Sequence, residues 1–212
     1  MAALTVESLR WAIERLNQGA ARMSGELNAL DGTVGDGDLG VNLSRSFQRL
    51  AAGAAQLPAD LGQALFECAM AFTKVTASTF GTLFATGLMA AGKHCRGKQE
   101  VDWSELPALL GAAVEAMLSR GRSALGDKTV VDAVEAVRQA CQGLTSPEPM
   151  LAAAQSAIRQ TMADFRCRPF RQGRARIFGE KALGKDDPGM AALLKIVECL
   201  ADSGGNVPNN NS

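Results

Sequence analysis

Three aspartates crowd one short, glycine-rich stretch. Asp31, Asp36 and Asp38 stand in DGTVGDGDLG, residues 31–40, beside four glycines. Carboxylates so close repel one another, so they either point into solvent or share a cation. Hard oxygen ligands separated by glycine suit Mg2+ or Ca2+. An EF-hand is excluded: counting from Asp36, the closing position falls on Phe47, where a bidentate glutamate is needed. The glycines flanking Asp36 permit a tight turn. A helix beginning near Gly40 then offers unpaired N–H groups to an anion. A cation beside a helix N-terminus suits phosphate. The same residues also describe a solvated Asp-Gly turn with Asp38 as an N-cap. The residues alone leave both open.

Other motifs carry less chemistry. GDGDLG, residues 35–40, satisfies a dinucleotide-binding pattern, but the preceding ELNAL is helical in character and no strand leads into it. GLMAAGK nearly spells a phosphate-binding loop, yet His94 replaces the required Ser or Thr and the segment lies in an apolar helix. His94 is the only histidine, which argues against a histidine-dependent nucleophilic triad. At a helix end it reads as a capping or surface residue.

The elements that must position the aspartates are helical. Of the 212 residues, 47% are hydrophobic and 21% charged, an ordinary globular composition. There is no tyrosine, and Ala, Leu, Met and Gln are abundant, which favours helix. Apolar stripes at helical spacing run through Val6, Leu9, Ile13 and Leu16, through Leu106, Leu109, Leu110, Val114 and Met117, and through Leu193, Leu194, Val197 and Leu200. The pattern predicts helices over 5–18, 22–30, 40–52, 58–74, 82–94, 104–119, 129–142, 147–165 and 189–202, with merging that leaves about eight. The fold class is therefore all-α, a single domain over residues 1–203 with a disordered tail at 204–212. Residues 166–189 form a glycine-bearing connection longer than a passive loop should be, which marks it as functional.

Net charge is zero, so nothing points to nucleic acid or an anionic membrane. The five cysteines are scattered and never form a CxxC pair, as expected for reduced thiols in the cytoplasm. Glu7 and Glu14 near the start and the lack of a long apolar run lead us to expect neither a signal peptide nor a membrane-spanning helix.

Four segments in order, LDGTVGDGDLGVNLSRSF, GTLFATGLMAAGK, GDKTVVDA and GRARIFGEKALGKDDPG, resemble the nucleotide-binding (L-type) subunit of dihydroxyacetone kinases. The resemblance runs from about Leu4 to Ala201, nearly the whole chain. It implies a barrel of antiparallel amphipathic helices with ADP or ATP at one end. It implies a pair of Mg2+ ions on Asp31, Asp36 and Asp38, with phosphate on Leu39, Gly40, Val41 and Asn42 and on the turn at Thr79 and Phe80. Gly121, Gly126, Thr129 and Val130 would lie near the adenine, and Arg174, Asp187, Pro188 and Gly189 would close over the nucleotide. Each has a plainer role too. Asp187-Pro188-Gly189 is a turn and helix start, Thr129 an N-cap, Val130 core, and Arg174 a solvated cation.

The chain also departs from the family pattern. Leu39 stands where the family usually has His, Phe80-Gly81-Thr82 where it has Ser-Gly-Pro, and GKDDPG (with Lys185 and Asp186) where it has GHQDPG. The implied partner is a K-type subunit that holds dihydroxyacetone or a related ketose, with a phosphotransferase-system protein as a further candidate donor. The alternative is a non-catalytic adenine-nucleotide module that regulates a partner.

Overall fold

A computed structural model describes residues 3–75 and 78–202 of the chain. The tail assigned to 204–212 lies outside the described residues. The described residues form eight α-helices: α1 Val6–Asp31, α2 Leu39–Gly53, α3 Leu61–Thr73, α4 Thr79–His94, α5 Leu106–Gly121, α6 Val130–Ala140, α7 Pro147–Phe165 and α8 Pro188–Ala201. Each packs on the next, and α8 returns to α1, so the ring closes. The connections at 31–39, 73–79, 121–130 and 165–188 all join the end of an odd helix to the start of an even one. In a ring of alternating direction they must gather at one end, and this is how distant sequence segments meet.

Local chemistry sets the helix starts. Thr5 caps α1 in a reciprocal box with Ser8, Asp60 caps α3 through the Gln63 amide, and Ser78 caps α4 through the Gly81 amide. The predicted helices at 5–18 and 22–30 are one continuous α1. Gly19 does not break it; it lets α8 approach, since a Cβ there would sit 2.3 Å from the Cys199 Sγ. A short antiparallel pair, β1 Ala3–Thr5 with β2 Glu100–Asp102, also forms, on runs too short to show alternation in sequence.

The ring is filled by apolar side chains, with Phe47 and Phe72 fully buried and in edge contact at 5.7 Å. Burying side chains of this size contributes roughly 1.5–3 kcal/mol each. A second cluster lies between α6, α7 and α8 around Ile158 and Met190. A third, Val34 with Phe170, Ala175 and Ala182, joins the aspartate loop to the long 166–187 connection. All five cysteines are free thiols. No helix among the described residues is long and apolar enough to cross a membrane.

Candidate functional site

The gathered connections enclose a cleft of about 420 Å³. Its acidic end is built by the loop after α1. Asp31, Asp36 and Asp38 each offer an oxygen, all within 4.8 Å of one another. At that distance each pair of charges repels by about 1 kcal/mol in water and several-fold more beside protein. The loop is shaped to hold them together nonetheless. Asp31 Oδ2 accepts the amides of Gly37 at 2.9 Å and Asp38 at 3.1 Å. Gly37 adopts φ +77°, open to glycine at little cost. A Cβ on Gly35 would lie 2.5 Å from Asp31 Oδ1, so glycine there makes room for the carboxylate. Asp38 takes the N-cap position of α2 but makes no side-chain cap bond, which speaks against the simple capped turn. This donor set fits a hard divalent cation.

Sequence reasoning missed the residue that caps α2. Asn28 of α1 accepts the amides of Gly40 at 2.7 Å and Val41 at 3.2 Å through its Oδ1. Gly40 and Val41 therefore stand behind the cleft wall, not on it as expected, and the Asn42 amide bonds Asp38 O at 3.0 Å. Of the four amides expected to meet an anion, only Leu39's has no protein acceptor among the described residues. Leu39 and Asn42 do line the cleft. The Leu39 side chain is nevertheless buried in the main core, so an imidazole there would enter an apolar setting. At the start of α4, Ser78 Oγ takes the Gly81 amide at 3.0 Å. The amides of Thr79 and Phe80, both on the cleft, precede it and have no protein acceptor among the described residues.

Leu83, Gly121, Thr129, Val130, Pro188 and Gly189 also line the cleft. Gly126 is not on the cleft; its amide bonds Asp132 Oδ1 at 2.5 Å. Arg174 opens a short 3-10 segment, and its side chain lies outside the description. Thr129 and Asp187 both fill their plainer roles as caps of α6 and α8 while facing the cleft.

The GDKT segment turns out to be a loop builder. Asp132 Oδ2 accepts the Thr129 amide at 2.8 Å, and Asp127 Oδ2 accepts the Ala124 amide at 2.9 Å. Lys128, fully buried, donates to Arg166 O at 3.0 Å and Arg168 O at 2.9 Å, with its ammonium 4.1 Å from the Phe170 ring centre. Burial holds that ammonium below the usual lysine range. Lys128 thus roots the long connection beside the cleft. A buried lysine has no signature in a single sequence beyond its place in the motif.

Asp187 keeps some solvent-facing surface, yet its carboxyl is packed among protein atoms. This desolvation pushes its pKa up to about 7, aided by Asp132 and opposed by the Met190 amide and Lys128. The folded value exceeds the ordinary 3.8, so stability from this group is fully present at low pH. It is lost as pH rises from about 4 through 7. Asp187→Asn keeps the cap and removes the ionisation. Its expected effect on the ligand-free protein is a gain on the order of 1–3 kcal/mol at pH 8, shrinking towards pH 4. Urea unfolding at the two pH values checks this; equal gains at both would disprove the assignment.

Comparison with known proteins adds a family. The model of the DAK2 domain matches residues 33–202. The ADP-binding subunit DhaL of the PEP-dependent dihydroxyacetone kinase of Escherichia coli is 31% identical over 187 residues, covering 82% of this chain and 86% of that one. The L-erythrulose 1-kinase of Mycolicibacterium smegmatis is 28% identical, covering 90% of this chain but 34% of the relative. Among solved structures, the dihydroxyacetone kinase from C. freundii in complex with AMP-PNP and Mg2+ superposes with a TM-score of 0.70 at 25% identity, over 92% of this chain and 33% of that one. The chain thus spans most of the subunit-sized relative and about a third of the longer kinases.

Proposed function

Because the chain belongs to the DAK2 domain family, we propose that it is the nucleotide-binding phosphotransferase subunit of a dihydroxyacetone-kinase-type system. It passes a phosphoryl group to dihydroxyacetone, or a related small ketose, held on a separate K-type subunit. The observation that carries this is the trio of aspartate oxygens within 4.8 Å on a cleft that also presents α4 amides with no acceptor among the described residues. Asp31, Asp36 and Asp38 would hold a pair of Mg2+ ions, which would neutralise phosphate oxygens and the charge in transit. The chain's own part is positioning. The Thr79 and Phe80 amides donate to phosphate oxygens. Leu83, Val130 and Pro188 give the base an apolar wall, and the connection rooted by Lys128 borders the opening.

The cleft has no imidazole to act on a sugar hydroxyl. His94 lies at the far end of α4, about 24 Å from the helix start, with its Nε2 3.6 Å from Glu105 Oε2. The likeness to an ADP-binding subunit of a PEP-dependent kinase supports ADP as a retained cofactor, rephosphorylated by a phosphotransferase-system protein, over exchange of ATP at each turnover. Free thiols suit the cytoplasm.

The test is reconstitution. The purified chain with ATP and dihydroxyacetone is expected to yield no dihydroxyacetone phosphate, and adding a K-type subunit with a phosphoryl donor is expected to produce it. Turnover by the chain alone, or none with any competent partner, overturns this function.

A further inference from the structure

The acidic end of the cleft accounts for a cation and phosphate. The remaining question is what the other end reads. Around Leu83, Gly121, Val130 and Pro188 the lining is apolar, and the polar side chains of Lys128, Thr129 and Gln172 are already committed. Lys128 serves two carbonyls, Thr129 caps α6, and Gln172 Nε2 donates to Arg122 O at 3.3 Å and Asp127 Oδ2 at 3.2 Å. Ser123 is the exception. It lines the cleft, its Oγ is buried, and that oxygen has no hydrogen-bond partner among the described residues. A buried hydroxyl without a partner is costly, and such groups are uncommon unless something outside the chain completes them.

The surroundings say where the hydroxyl sits. A Cβ added to Gly121 would lie 3.2 Å from Ser123 Oγ and 3.4 Å from Leu83 Cδ2. Glycine at 121 therefore leaves a gap between the apolar Leu83 and this hydroxyl. The Ser123 amide is tied to Leu118 O at 3.1 Å, which holds the backbone in place. To meet a ligand the hydroxyl would turn about χ1 to another staggered position. A planar heterocycle with polar atoms on its edge suits this combination of apolar wall and one uncommitted hydroxyl.

We propose that Ser123 is a base-contacting residue, its Oγ completing its hydrogen bonding on the polar edge of the nucleotide's adenine. This rests on the adenine-nucleotide function above and adds a residue that selects the base. Serine serves either as donor or as acceptor there.

The signature has two parts of opposite sign. Ser123→Ala removes an unsatisfied group from the empty protein, so its melting temperature without ligand is expected to stay level or rise. The same change removes a partner from the base, so affinity for ADP with Mg2+ is expected to fall about five- to tenfold. Affinity for inorganic pyrophosphate with Mg2+, which has no base, is expected to be unchanged. Calorimetric titration of both proteins with both ligands reads all three quantities. Unchanged ADP affinity in the variant overturns the proposal. So does an equal loss for both ligands, which would place the effect at the phosphates. A fall in ligand-free stability would make Ser123 a structural residue and overturns it also. If the wild-type protein binds pyrophosphate but not ADP, or binds neither, the nucleotide function itself fails and takes this proposal with it.

Discussion

Asp36→Asn and Asp38→Asn are each expected to reduce Mg-dependent ADP binding at least about 10²-fold, while the ligand-free Asp38→Asn protein melts no lower than wild type. The two expectations come from one fact. Three carboxylates place oxygens within 4.8 Å of one another, an arrangement that is unfavourable without a cation and favourable with one. Removing the Asp38 charge relieves the empty loop, and removing either charge takes a ligand from the filled one. A loss of several kcal/mol of cation-mediated phosphate stabilisation corresponds to this fold-change. Asp31→Asn is expected to differ. Its Oδ2 accepts two loop amides, so weakening it costs the ligand-free protein about 1 kcal/mol as well. Titration with ADP at varied Mg2+, alongside thermal melts, separates the three. Wild-type affinity in both the Asp36 and Asp38 variants would remove these residues from the cation site.

Gly40→Ala is expected to destabilise the protein by about 3 kcal/mol and to weaken ADP binding, although Gly40 is not on the cleft. An added Cβ would lie 2.1 Å from Ser24 O and 2.7 Å from Ser24 Cα, both backbone atoms of α1. No side-chain rotation relieves that, so α1 and α2 must separate. Separation also pulls Gly40 and Val41 from Asn28, which caps α2 beside the aspartate loop. Gly25→Ala is the control. Gly25 lies inside α1 with nothing within 4 Å of an added Cβ. That change is expected to stabilise by up to about 1 kcal/mol from helix propensity alone. Urea midpoints for the pair test the contrast. A neutral Gly40→Ala would mean the helix contact is looser than these distances state.

Much of this protein is legible in one dimension, and the reason is locality. Helical periodicity depends on neighbours three and four residues away, so seven of the predicted helices lie within a few residues of their observed bounds. The aspartate trio lies within eight consecutive residues, so its crowding follows from chain geometry alone. Thr129 and Asp187 bond amides two or three residues ahead, and their capping roles are readable for the same cause. What the tertiary structure decided is every fact that depends on ring closure. The gap between the helices predicted at 5–18 and 22–30 is instead the point where Cys199 approaches Gly19. Asn28 reaches twelve residues along the chain to cap α2, which turns two expected anion donors into structural ones. Lys128 finds its acceptors 38 and 40 residues away, and the Ser123 hydroxyl stands out only because the folded wall offers it nothing to bond. Short-range rules fix the angle and end of a helix. Which amides remain unpaired, and which polar atoms are left to a ligand, depends on what the other helices bring against them.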